Sequence, residues 1–284
     1  MQKAMQKIIL EIKKELRKNI DEKYKKGAQN FFKEEVKIIG VRIPVVRKIS
    51  AKHFTSWSRQ NLPSDSAEDS YVKKEIFNLC EKLLKAGSNE EVTIAFDWAF
   101  RLKKQFEKSD FNVFEKWLKK DVSNWASCDD FCGHAFGELF FQFPELFNQT
   151  KKWAKSKNRW LRRASAVILI YPVRKILHNL PQDKICNFSE NRVSRSTRTF
   201  SNGVYSIRRK NVLKNIFKIA DILLVDIDDM VQKGYGWMLK EASNIYPNEV
   251  FKYVMKNKKK MPRTALRYAI EKMPKEWRQK AIER

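Results

Sequence analysis

The 284-residue sequence predicts an all-α fold, on three observations. Gly and Pro number eight each, too few for the many turns of a chain of short strands. Apolar residues recur at helical spacing through most of the length. Short polar stretches join the periodic segments, with connections of the length usual between packed helices.

The first helix is marked by Ile8, Ile12, Leu16 and Ile20, a stripe repeating every fourth residue with Lys and Glu between. A short helix is expected over 30–38, ended by Gly40, with Pro44 in the first turn of the next helix over 44–57. Ser, Asp and Pro63 make 59–70 a loop. Helices are then expected over 71–85, 90–105, 111–119, 125–141, 147–156 and 159–177. From 182 to about 205 the rhythm breaks into a long irregular loop, where Arg192, Arg195 and Arg198 stand at three-residue spacing, suited either to gripping phosphates or to a solvated insertion. Helical patterning resumes over 207–222 and 226–246. Gly234 and Gly236 inside the latter helix each cost about 1 kcal/mol relative to Ala, which makes sense where another backbone approaches closely. Two or three short helices complete 248–284.

Paired helices without strict sequence repetition point to a right-handed α-solenoid of HEAT-like pairs around a concave basic groove. A compact bundle and two separate helical halves are the alternatives. The lack of a Gly/Ser-rich linker favours one domain over 1–284, with the long loop at about 182–205.

Charge narrows the partners. Lys and Arg total 59 against 33 Asp and Glu, a net charge of +26 that favours a polyanion, nucleic acid ahead of an anionic membrane surface. No apolar run reaches about 18 residues, so no membrane partner is expected. The N-terminus carries no secretory pattern, and Cys80, Cys128, Cys132 and Cys186 then read as reduced thiols of a cytoplasmic, bacterial-type protein.

Familiar catalytic signatures are missing: no Walker loop, no dinucleotide fingerprint, no Gly-x-Ser-x-Gly elbow. His53, His134 and His178 are scattered. Cys128, Cys132 and His134 lack a fourth ligand and sit badly for structural zinc, so neither metal nor cofactor is expected. Trp125 and Asp129 stand out because a four-residue spacing stacks an indole and a carboxylate on one helix face. Taken alone, they also suit a packing indole and a carboxylate near a helix N-terminus.

Asn124-Trp125 with Asp129, then Asn158-Arg159-Trp160-Leu161-Arg162-Arg163-Ala164, then Val231-Gln232-Lys233-Gly234-Tyr235-Gly236-Trp237-Met238-Leu239-Lys240, together resemble the AlkD-type DNA alkylation repair family of HEAT-repeat alkylpurine DNA glycosylases. Gly40-Val41-Arg42-Ile43-Pro44 and Arg47 resemble a further family motif. The resemblance spans roughly 30–270, with Ala126 where many members carry Asp and with a longer connection at 182–205. It implies that Asp129 is the catalytic carboxylate, that Trp125 and Trp237 flank the lesion nucleotide, and that Arg163 contacts a nearby phosphate. Arg162, Lys240, Arg42 and Arg47 are further candidate phosphate contacts. The implied protein is a monomer on duplex DNA containing alkylated purines. It cleaves the N-glycosidic bond of cationic N3- and N7-alkylated purines without base flipping and without lyase activity. A non-catalytic HEAT-repeat protein that binds damaged or branched DNA, and a helical protein-interaction scaffold, are the alternatives.

Overall fold

The computed structural model describes residues 2–61, 69–179 and 203–283. Every regular element among them is helical, as expected. By contact the chain divides into two compact units, Met1–Leu139 and Phe140–Arg284. The expected loop over 182–205, with Arg192, Arg195, Arg198 and Cys186, lies outside the described residues except for its last three positions, which begin a helix.

Unit 1 holds α1 (Gln2–Lys18), α2 (Glu22–Ala28), α3 (Ile43–Asn61), α4 (Asp69–Ala86), α5 (Asn89–Arg101), α6 (Asp110–Lys120) and α7 (Trp125–Gly133), and α8 (Ala135–Gln142) leads out of it. Side-chain caps fix several starts. Asp21 accepts the Tyr24 N–H, Ser88 that of Glu91, and Asn124 that of Ser127. Helix α1 packs on α3, α3 on α5, and α5 on α7, the alternate-helix layering that helical repeats make. Ile8, Ile12 and Leu16 are buried as the α1 stripe requires, whereas Ile20 falls past the helix end. The core is aromatic: Phe96 stacks on Phe131 at 4.2 Å, and Phe114 is surrounded by Phe77, Phe106, Trp117, Phe131 and Phe136.

The helix expected over 30–38 is absent. The helix of this region lies earlier, at α2, followed by a single 3₁₀ turn (Gln29–Phe31), and residues 32–42 run irregular and largely extended. The stretch that follows the expected helix, residues 39–41, is held from a distance in sequence. The buried carboxylate of Glu90, 1% exposed, accepts the backbone N–H of Ile39 (3.0 Å), Gly40 (2.7 Å) and Val41 (3.0 Å). Donors engaged this way cannot serve a helix ladder. Gly40 does not end a helix; it takes φ +107° within this strap, and a Cβ there would meet the Lys25 stem at 2.7 Å.

The helix expected over 125–141 is two helices, broken at His134 (φ −133°, ψ −97°). In one continuous helix Phe131 and Phe136 would point about 140° apart. The break after Gly133 turns both into the same core, with ring centroids 5.1 Å apart.

Unit 2 comprises α9 (Phe147–Trp153), α10 (Arg159–Val167), α11 (Ile170–His178), α12 (Gly203–Ile222), α13 (Asp229–Ser243), α14 (Pro247–Asn257), α15 (Arg263–Ile270) and α16 (Lys275–Ile282). The helix expected over 159–177 also breaks, at Ile168 and Leu169, because Pro172 lacks an N–H and its ring would strike the carbonyl of residue 168. Helix α13 is the centre, packed by α10, α12, α14 and α15, with Val231, Tyr235, Met238, Leu239 and Ala242 buried. The close approach expected from its glycines is present. A Cβ on Gly236 would lie 2.8 Å from the Ala265 carbonyl of α15, and one on Gly234 would lie 3.1 Å from the Arg163 stem.

Candidate active site

In unit 1, α7 presents the pair singled out in the sequence. The Asn124 side chain caps the helix by accepting the Ser127 N–H at 2.9 Å, which places Trp125 in the first position and Asp129 one turn later. Cys128, Phe131 and Cys132 are buried beneath them, leaving Trp125 and Asp129 part-exposed on the outer side. The Trp125 indole donates through Nε1 to the Phe31 carbonyl at 2.9 Å, and Phe32 stacks on it at 5.6 Å with the rings inclined 25°. Phe31 itself is 69% exposed.

The next residue, Asp130, takes a different role. Its Oδ1 accepts from the Arg47 guanidinium of α3 and lies 3.0 Å from His134 Nδ1. Arg47 also donates to Asp97 of α5 at 3.3 Å, and the second Asp97 oxygen accepts from Ser50 and Arg101. Arg42 donates to Asp21 at 2.8 Å and lies over the Tyr24 ring, while remaining 58% exposed.

The hydrogen bond and charge of Asp130 hold the His134 imidazole above the usual histidine range, against the opposing effect of burial. Stability from this pair is therefore complete below the ordinary histidine value near 6.5 and disappears as the pH rises through the raised value. With the imidazole about half-exposed, its worth is about 0.2–1 kcal/mol. His134→Gln should lose that increment at pH 5.5 and little at pH 8.5, read as the difference in melting temperature from the unaltered chain.

In unit 2, α10 and α13 carry the remaining candidates. Arg163 is 6% exposed; its stem lies against Gly234 and its guanidinium donates to the Met230 carbonyl. Arg162 is clasped by Asp226 at 2.7 Å and by the Ser156 and Lys157 carbonyls, both at 3.0 Å. Trp237 is part-exposed and donates through Nε1 to Glu241 at 3.2 Å, one turn along α13. The Arg174 guanidinium lies 5.3 Å from the Trp237 ring centre and 3.3 Å from the same carboxylate, which Lys272 approaches at 3.5 Å. Burial raises the Glu241 carboxyl, but the Arg174 hydrogen bond and charge, with Lys272 and the indole N–H, outweigh it and hold it below the usual range. Lys240 pairs with Glu271 at 2.9 Å beside the Tyr268 ring.

The sequence profile of the family described as DNA alkylation repair enzyme matches residues 12–273. The chain belongs to the DNA alkylation repair enzyme family. A search of curated proteins returns no match. Among solved structures, one titled as a predicted DNA alkylation repair enzyme from Enterococcus faecalis is similar at 15% identity and TM-score 0.64, covering 90% of this chain and 98% of its own. AlkD2 from Streptococcus mutans is similar at 17% identity and TM-score 0.47, covering 81% of this chain and 99% of its own. The first likeness shows the shared helical fold.

Within this alkylation repair enzyme, Trp125 and Asp129 come together on α7, and Arg163 lies against α13, which bears Trp237 and Lys240. Among the described residues no cluster of three or more His, Cys, Asp or Glu is arranged to hold a metal ion, and no helix is long and apolar enough to cross a membrane. The sequence reading missed Phe31 and Phe32 because it placed them in a helix. It also missed Glu241, which the four-residue spacing from Trp237 would have found, and Arg174, which carries no local signal.

Proposed function

We propose that this chain is a monofunctional DNA glycosylase that hydrolyses the N-glycosidic bond of cationic N3- and N7-alkylated purines in duplex DNA, without flipping the base. The observation that carries the reading is the part-exposed Trp125–Asp129 pair on α7 of a DNA alkylation repair enzyme. A purine alkylated at N3 or N7 is cationic and departs as a neutral molecule, so it needs no general acid. The sugar left behind develops oxocarbenium character, as in glycoside hydrolysis. Asp129 stabilises that charge electrostatically and orients the attacking water. Trp125 and Trp237 offer indole faces, each worth about 0.5–2 kcal/mol to a cation. Arg163, which the resemblance gives as a phosphate contact, is 6% exposed with its guanidinium on the Met230 carbonyl, so in this reading it holds α10 against α13. Arg42, 58% exposed, adds charge for phosphates in its unit, whereas Arg162 and Lys240 are largely covered and paired with Asp226 and Glu271.

The chain should release 7-methylguanine and 3-methyladenine from methylated duplex DNA, leave abasic sites without strand cleavage, and leave uncharged lesions in place. Its affinity for duplex should fall steeply as salt rises. Tight duplex binding with no base released would instead mark a non-catalytic DNA-binding protein.

A further inference from the structure

We propose that Arg47 is a positioning residue and not a phosphate contact: with Asp97 and Asp130 it forms a strut that fixes the rotation of α7 and thereby aims Asp129 and Trp125. The inference rests on the catalytic reading of Asp129 given above.

Arg47 stands on α3, Asp97 on α5 and Asp130 on α7, so one guanidinium ties three helices of unit 1. Both terminal nitrogens are engaged by carboxylates: one faces Asp97 Oδ1 and the other Asp130 Oδ1. Both carboxylates are largely buried, with side chains 13% and 15% exposed. Asp97 is itself held by Ser50 from α3 and by Arg101 from its own helix, so the far end of the strut is anchored.

Helix α7 has nine residues, too short to hold its own geometry in water. Its seat therefore comes from tertiary contacts. Phe131 and the buried cysteines fix its depth, but apolar packing is non-directional. Arg47 supplies a directional restraint on rotation about the helix axis, because its rigid planar guanidinium bridges carboxylates on two helices with one directional hydrogen bond to each. Asp129 directly precedes Asp130, 100° around the helix. Any rotation at one is a rotation at the other. Without the guanidinium, Asp97 and Asp130 would face each other across its place, and their repulsion would swing α7.

A phosphate contact and a strut separate in kinetics. Arg47→Met in the full chain should lower the single-turnover rate of 7-methylguanine release by about 10²-fold, the cost of roughly 1 Å of misplacement. Duplex affinity and the slope of log affinity against log salt should stay as in the unaltered chain. Arg47→Lys keeps the charge but not the fork and should fall between, and Arg47→Met with Asp97→Asn and Asp130→Asn should recover part of the lost rate by removing the repulsion. An unchanged rate, or a salt slope shallower by about 0.9, overturns the proposal. If Arg47→Met does not fold, Arg47→Lys decides it on the rate, because lysine keeps the charge that sets the salt slope: a slower rate at unchanged affinity supports the strut, and an unchanged rate overturns it. Amide hydrogen exchange over residues 125–133 keeps the two readings distinct. If the unaltered chain releases no base, the glycosylase reading fails, while faster exchange confined to α7 in Arg47→Met still supports the strut. Unchanged exchange there removes it.

Discussion

Asp129→Asn should release 7-methylguanine from methylated duplex DNA about 10²–10³-fold more slowly than the unaltered chain, the scale of losing one preorganised electrostatic group. The substitution preserves shape, removes the charge and replaces one carboxylate oxygen by an amide NH₂. Helix α7 keeps its Asn124 cap, its buried Phe131 and the Asp130–Arg47 bond, so the fold is unaffected. Duplex binding should be equal or slightly tighter, because a negative charge leaves a surface that meets phosphates. The result is thus a loss of rate without a loss of affinity, measured by single-turnover base release beside a binding titration. Equal rates in the two proteins would remove Asp129 from the chemistry.

Glu90→Ala should lower the unfolding free energy by about 3–5 kcal/mol, the scale of losing several hydrogen bonds to one buried charged acceptor. One carboxylate satisfies three consecutive N–H groups, those of Ile39, Gly40 and Val41, and no water reaches a group 1% exposed. Deletion leaves three donors buried without acceptors, each costing about 1–3 kcal/mol if unrelieved. The strap is then expected to peel away and find water, which caps the total. Denaturant unfolding measures the loss, and exchange of the three amides locates it. Glu90→Gln should cost less, because its carbonyl still accepts while its amide group faces donors.

Most helices were legible because their signals are local. Ser88, Asn124, Asn158 and Asp228 cap from inside the segment they start, and the α1 stripe is read directly off Ile8, Ile12 and Leu16. Failures came where the deciding partner lay far away. Residues 32–42 carry residues compatible with a helix, yet the Val36 N–H goes to the Gln29 side chain and a carboxylate some 50 positions later takes the donors of Ile39, Gly40 and Val41. The break at His134 follows from packing two phenylalanines into one core, which no window of sequence displays. The break before Pro172 was available to a steric reading, but apolar periodicity ran across it. At the site, Trp125 and Asp129 were legible because four residues make one turn. The partners of Arg47 were not, because they come from positions 50 and 83 residues away.

The strap over residues 32–42 is gripped by its backbone. Glu90 recognises peptide groups that every residue except proline supplies, so at Ile39, Gly40 and Val41 its grip does not read the side chains. Gly40, at φ +107°, and the buried Val36 and Val41 resist exchange. The segment that follows the Phe32 wall of Trp125 can therefore drift in composition, trading lysine for glutamate or adding bulk, while that wall stays where it is. A single invariant carboxylate would give this part of the molecule room to evolve.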